Sequence, residues 1–161
     1  MVGPAIDHAD NPMTRAPLTA DAARAVIVEI CQLAVGRPVT SVIICDPRVA
    51  AQRSLSQMLH PLHSLIGITC VRDGFALMDA YSAQAADIVL IGIDRSSNAG
   101  AEAVALQLAM HPESVIITVG IATDAELLVE ATILGARGLL IWDHNQAPPD
   151  GGPPPDGPLA W

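Results

Sequence analysis

Residues 86–93 read Ala-Asp-Ile-Val-Leu-Ile-Gly-Ile. The run from Ile88 is short, β-branched and apolar at odd and even positions alike, which is how a strand covered on both faces reads. Four further runs share the pattern: Val39–Cys45, Leu65–Val71, Ser114–Gly120 and Gly138–Trp142. Between them the apolar residues take helical spacing. Arg48–Leu59 carries Val49, Leu55, Met58 and Leu59, and Gly74–Ala83 carries Phe75, Leu77, Met78 and Tyr81. Ala99–Met110 carries Val104, Leu106 and Leu108, and Thr123–Leu134 carries Leu127, Leu128, Ala131 and Leu134. Thr123 and Asp124 suit the start of the last of these helices, and Gly135 suits its stop. The alternation amounts to βα repeats in which the final strand has no helix after it. It predicts a parallel sheet with helices on both faces.

Composition is consistent with one such domain. The chain has 161 residues, 51% of them hydrophobic, but only Phe75, Tyr81, Trp142 and Trp161 are aromatic. The core must therefore be built from Ala, Val, Ile and Leu. There is no lysine at all, so the eight basic residues are arginines, and the net charge is −9. An acidic chain without a basic stripe is not expected to touch nucleic acid itself. Absence of lysine also excludes any chemistry that needs an ammonium group, whether a P-loop, a Schiff base or a phosphate-sensing lysine. Such a composition, rich in Ala, Gly and Pro, suggests a GC-rich bacterial genome.

Cys31, Cys45 and Cys70 lie far apart and form no CxxC, as expected of reduced thiols in the cytoplasm. The acidic, Pro-broken N-terminus has no signal-peptide core. The longest uncharged stretch, Ser54–Val71, is interrupted by His60, Pro61 and His63 and does not read as a membrane span. Proline crowds the two ends. Residues 1–18 read as a disordered arm, 19–36 as an extra helix, 37–146 as the domain, and 147–161 (APPDGGPPPDGPLAW) as a linker or tail. The tail suggests that a further domain follows.

Four landmarks, in order and in register, resemble the receiver domain of response regulators between about Val39 and Asp143. Arg72-Asp73-Gly74 resembles the family's turn before its second helix. Ala86–Ile91 resembles the PDLVLL run that leads into its third strand. Gly100-Ala101-Glu102 matches its GLE, and Gly135–Leu140 matches its GAxGYL. The resemblance implies a flavodoxin-like α/β fold, CheY-like, with strand order 2-1-3-4-5. It departs from the family in having an extra N-terminal helix and no normal fifth helix.

The chemistry does not carry over. Where the family has its phosphoryl-accepting Asp this chain has Gly92, and where it has Lys at the end of the fifth strand this chain has Trp142. Its Thr or Ser on the fourth strand corresponds to Val119, with Thr118 beside it facing the other side. Its Mg²⁺-binding acidic pair is reduced to Cys45-Asp46. Phosphoryl transfer needs a carboxylate nucleophile, a metal held by oxygens and a cation to offset charge. Asp94 lies two residues past Gly92, about 6–7 Å further along an extended chain, and reads as a solvated loop residue. The chain is accordingly expected to be a pseudo-receiver: not an enzyme, with no cofactor and no metal.

The remaining candidates each have a plain reading and a functional one. Asp46 either caps a helix begun by Pro47 or anchors a ligand. Trp142 either plugs the space left by the missing side chains or offers a stacking surface beside Gly92. His60 and His63 have ligand spacing, but Pro61 separates them and they read as a solvated helix end. Cys45 and Cys70 either face each other on neighbouring strands or serve as small buried hydrophobes. The first turn, Cys45-Asp46-Pro47-Arg48, has no Gly-rich phosphate cradle, which argues against a flavodoxin-like cofactor enzyme.

The extra helix, Ala20–Val35, has Thr19 to cap it and Gly36 to stop it. One apolar stripe, Ala23, Val26, Ile27, Ile30, Leu33 and Ala34, suits the sheet face that the missing fifth helix would cover. A second, Val28, Cys31 and Val35, suits a dimer seam. The expectation is a cytoplasmic, homodimeric, phosphorylation-independent module of an atypical response regulator of transcription, with DNA binding left to a downstream domain. The alternative is a metabolite sensor using an apolar pocket built on Asp46, Gly92 and Trp142.

Overall fold

The structure, a computed structural model, describes residues 19–60 and 66–143. The arm 1–18, His63, and the residues from 144 onward, including the tail, lie outside the described residues. In chain order the elements are α1 (Ala20–Val35), β1 (Ser41–Cys45), α2 (Val49–Leu59), β2 (Gly67–Val71), α3 (Gly74–Ala83) and β3 (Ile88–Gly92). They continue with α4 (Ala99–Met110), β4 (Ile116–Gly120), a 3₁₀ turn at Ala122–Asp124, α5 (Ala125–Leu134) and β5 (Gly138–Ile141). The strands form one five-stranded sheet in the order β2-β1-β3-β4-β5, and every pairing is parallel. This is the doubly wound α/β fold expected from the alternation.

Strand residues alternate between two apolar layers. Val42, Ile44, Ile88, Leu90, Ile117 and Val119 face α1 and α2; Ile43, Cys45, Val89, Ile91 and Ile116 face α3, α4 and α5. All five residues of β3 and of β4 are buried, so both faces of the sheet centre are dry. β2 is the half-exposed edge. Its register sets Cys70 opposite Ile44 and Val71 opposite Cys45. The two thiols therefore point to opposite faces and do not meet. Cys45 is a buried hydrophobe, whose thiol is pushed up to about 12 by burial first and then by the charges of Asp46 and Asp73. Cys70, in contrast, is exposed.

Local chemistry explains the helix ends. The Thr19 hydroxyl accepts from the Ala22 N–H at 3.2 Å, and Gly36 closes α1 in the left-handed region at φ 78°. Asp73 caps α3 by accepting from the Ala76 N–H at 2.9 Å. At the other end of the last helix, Gly135 takes φ 137°.

α1 lies on the same face as α2, where a helix following β5 would otherwise be needed. Arg24 donates to the Met58 carbonyl at 2.6 Å, satisfying one of the carbonyls left open at the C-terminal end of α2. A Cβ on Gly138 would lie only 2.4 Å from Ile30 Cδ1, so α1 rests directly on the start of β5. The buried line is Ala23, Ile27 and Cys31, flanked by Ala20, Val26, Ile30, Ala34 and Val35. This corrects the expected division into two stripes. Leu33, assigned to the sheet, is 81% exposed, and Cys31, assigned to a dimer seam with Val28 and Val35, is fully buried. At about 100° per residue, Cys31 falls about 40° from Ile27 whereas Leu33 falls about 120° away on the other side. Val35 also packs on the core, so of the three seam residues only Val28 faces outward.

The connection from α1 into β1 is fastened at the N-terminal edge of the sheet by Asp87. Its carboxylate accepts from the Thr40 N–H and hydroxyl, both at 2.8 Å, and pairs with Arg37; the Asp87 N–H donates to the Ser41 hydroxyl. Burial by itself would raise the carboxyl, but the Thr40 bonds and the Arg37 charge outweigh it and hold Asp87 below the usual Asp range. The contribution to stability is therefore present above the ordinary Asp range and lost as pH falls through the lowered folded value. Asp87→Asn should be less stable than the parent at neutral pH, and the gap should close as the pH is taken below about 4. Urea melts across pH 2–7 would read this. For α1, Ile27→Ala should cost about 2–5 kcal/mol. Deletion of residues 1–36 should give a molten or insoluble chain, read by dye binding and near-UV dichroism.

Candidate functional site

The C-terminal ends of β1, β3, β4 and β5 surround a cavity of about 110 Å³, comparable to the space taken by a few water molecules. Asp46, Arg48, Asp94, Asp124 and Asp143 supply its polar lining; Ala51, Leu55, Ile93, Val119, Ile121 and Trp142 supply its apolar wall. The sequence suggested an apolar pocket. Four carboxylates and one guanidinium make it amphipathic and acidic instead.

Asp46 is the most deeply buried member of this group, 1% exposed. Its Oδ1 accepts from the Arg48 N–H at 2.8 Å and from Arg48 Nε at 3.0 Å, while Oδ2 accepts from an Arg48 terminal nitrogen at 2.8 Å. This is a two-toothed guanidinium–carboxylate pair closed within a single tight turn. Asp46 does not cap a helix begun by Pro47. α2 starts at Val49, with Arg48 at the cap position and no side-chain cap bond. Pro47 instead sits inside the turn that brings the Arg48 side chain back over Asp46. Gln52 fixes the turn from the other side, donating to the Asp46 carbonyl at 2.7 Å and to the Val71 carbonyl at 3.1 Å.

Gly92 is a necessity of this arrangement. A Cβ built there would fall 1.8 Å from Asp46 Oδ2 and 2.8 Å from its carboxyl carbon. The Asp46 carboxylate thus fills the space that any side chain at position 92 would need. Gly92 is also crowded from behind, since a Cβ on Gly100 would meet the Gly92 carbonyl oxygen at 2.1 Å.

Asp94 is drawn into the site rather than left in solvent. The chain bends after Ile93, where Asp94 and Ser97 form an isolated bridge, so the carboxylate does not continue away along the strand. Its Oδ2 lies 3.5 Å from an Arg48 terminal nitrogen and accepts from the Ser96 hydroxyl at 2.8 Å. Arg48 accordingly spans Asp46 and Asp94. Its guanidinium is held further up its range by the Asp46 bonds first, against the cost of burial, with help from the Asp46, Asp94 and Asp124 charges.

Trp142 follows β5 and is 6% exposed, packed in the layer shared with α1 and α2. Its indole N–H donates to the Ser54 hydroxyl at 2.8 Å, a buried bond between β5 and α2. Val119 lines the cavity and is buried. Thr118, one residue earlier, points into the opposite layer, and its hydroxyl has no partner. Asp124 is buried and accepts from Arg95 Nε at 3.3 Å.

Asp46, Gly92, Asp94, Val119 and Trp142 therefore come together at this end of the sheet, whereas Thr118 and the histidines do not. His60 is at the exposed end of α2, and His63 is not described. Among the described residues no three His, Cys, Asp or Glu side chains cluster as a metal cage. Sequence reading missed Arg48, Ser54, Asp124 and Asp143. For Arg48 the available signal was Asp-Pro-Arg, a carboxylate and a cation two residues apart across a proline.

No family model and no curated protein sequence matches the chain. The receiver domain of NtrX from Brucella abortus superposes with a TM-score of 0.56 at 17% identity, covering 65% of this chain and 88% of that one. The N-terminal signal receiver domain of a two-component response regulator from Bacteroides fragilis gives 0.57 at 17%, covering 66% and 88%. Chemotaxis protein CheY4 of Vibrio cholerae gives 0.53 at 18%, covering 64% and 86%. The fold is that of a receiver domain. The divalent cation implied by that fold would need the Asp46 oxygens, and those are already bonded to Arg48.

Two substitutions test the site. Gly92→Ala should dislodge the Asp46 carboxylate and cost about 3–5 kcal/mol, the scale for breaking a buried ion pair, measured by chemical unfolding. Ser54→Ala should cost about 1–3 kcal/mol by leaving the Trp142 N–H unpaired, and should shift the tryptophan emission.

Proposed function

We propose that the chain is a regulatory module that works without phosphorylation. The observation that carries this reading is the lack of room at Gly92: the place of the acceptor side chain is filled by Asp46, itself neutralised by Arg48. Lysine is absent from the whole chain, so no ammonium stands ready to meet a phosphoryl group. A pocket closed by its own ion pair favours signalling by assembly over signalling by covalent modification. We place the module in an atypical response regulator of transcription, acting as a homodimer in the cytoplasm, with DNA bound by another domain. No described helix is long and apolar enough to cross a membrane.

A second reading is supported by the cavity. Its Trp142 wall and carboxylate rim suit a small molecule with an apolar part, as in a metabolite sensor. The two readings separate on Trp142 fluorescence, which a ligand in the cavity would change and subunit assembly elsewhere would not.

Incubation with acetyl phosphate and Mg²⁺ should leave the intact mass unchanged, because Gly92 offers no carboxylate. An added mass of about 80 Da, mapped to Asp46 or Asp94, would refute the proposal.

A further inference from the structure

Receiver-type pockets are built to hold a divalent cation on carboxylates at the strand ends; this chain keeps one of those carboxylates, Asp46, and brings a second, Asp94, to the same end of the sheet from two residues past the acceptor position. Asp46 contributes both oxygens from the end of β1. Asp94 contributes Oδ2 from the loop after β3. Between them stands the Arg48 guanidinium, within 3.0 Å of both Asp46 oxygens and 3.5 Å from Asp94. Two carboxylates and water would be enough for a hard cation of the Mg²⁺ or Mn²⁺ type. A guanidinium already bonded to those oxygens blocks such an ion sterically and by charge.

We infer that Arg48 is the specificity-determining residue of this pocket: it acts as the resident cation and excludes divalent metal. Three observations support the assignment independently of any resemblance. The pair is bidentate, the orientation in which a guanidinium replaces a two-oxygen chelate. Asp46 is almost wholly buried, and a charged carboxylate there is costly unless it is paired and hydrogen-bonded, both of which Arg48 supplies. The turn is held in place by Gln52, whose two bonds to the Asp46 and Val71 carbonyls fix the backbone on which Asp46 and Arg48 sit. The inference deepens the phosphorylation-independent reading and rests on it for the meaning of the pocket, though not for its chemistry.

The experiment uses the full chain and Mn²⁺ as probe, with calorimetric titration and thermal melts on the parent, Arg48→Gln, Arg48→Lys and Arg48→Gln/Asp94→Asn. The parent should show no binding heat and no change in melting temperature at about 10 mM Mn²⁺. Arg48→Gln should melt lower in chelator, bind one Mn²⁺, and regain about 3 °C or more when saturated. The double variant should bind at least about tenfold more weakly, since a carboxylate ligand is gone. Arg48→Lys, which keeps a cation in place, should exclude the metal as the parent does. If Arg48→Gln is unfolded in chelator, refolding on addition of Mn²⁺ supports the inference and failure to refold overturns it. Mn²⁺ binding by the parent or by Arg48→Lys at the affinity of Arg48→Gln overturns it, as does a folded Arg48→Gln that ignores the metal. Any of those failures leaves Gly92 without a carboxylate and the phosphorylation-independent reading intact. A phosphoryl adduct on the parent would refute that reading without giving Mn²⁺ a place to bind.

Discussion

A parallel sheet whose strands are apolar on both faces cannot stand in water with one face open. That constraint governs this chain. α3, α4 and α5 close one face, while α2 closes only part of the other. The remainder is closed by α1, a helix that comes before the sheet in sequence. The Ala23, Ile27 and Cys31 line, the Ile30 contact at Gly138 and the Arg24 bond to α2 all serve this single end. With α1 in that position, β5 can finish at Ile141 and leave Trp142 to turn inward and meet Ser54.

The pocket at the strand ends follows from the same economy of parts. Asp46 and Asp94 stand beyond the ends of the adjacent strands β1 and β3, where like charges repel unless a cation is present. Here the cation is covalently part of the chain. Asp46 and Arg48 neutralise each other within one turn, and the space they occupy is available only because position 92 has no side chain. Gly92, Asp46 and Arg48 form one steric and electrostatic unit, and a change at any of the three is felt by the other two.

Most of the scaffold was legible from sequence because its signals are local. Continuous β-branched runs marked the strands, Thr19, Gly36 and Gly135 marked helix ends, and spacing marked the helices. What failed depended on rotation and on turns. Leu33 and Cys31 exchanged roles because overlapping apolar stripes on one helix do not say which stripe faces in. Asp94 comes nearer than an extended chain beyond Gly92 would carry it, because the backbone bends through the Asp94–Ser97 bridge. Arg48 was overlooked because a pair two residues apart meets only when the backbone turns sharply, here at Pro47. The supposed meeting of Cys45 and Cys70 failed by one position of register, which in a sheet reverses the face.

The position of α1 also has a kinetic meaning. Its residue Ile30 rests on Gly138, about a hundred residues away, so the seat of the first described helix is complete only when the last strand is in place. Contacts this distant in sequence carry a loop-closure cost that must be met before they stabilise anything. Closure of the first element on the last strand makes the domain a ring of mutually dependent parts, and folding of the sheet and docking of the helix become one cooperative event.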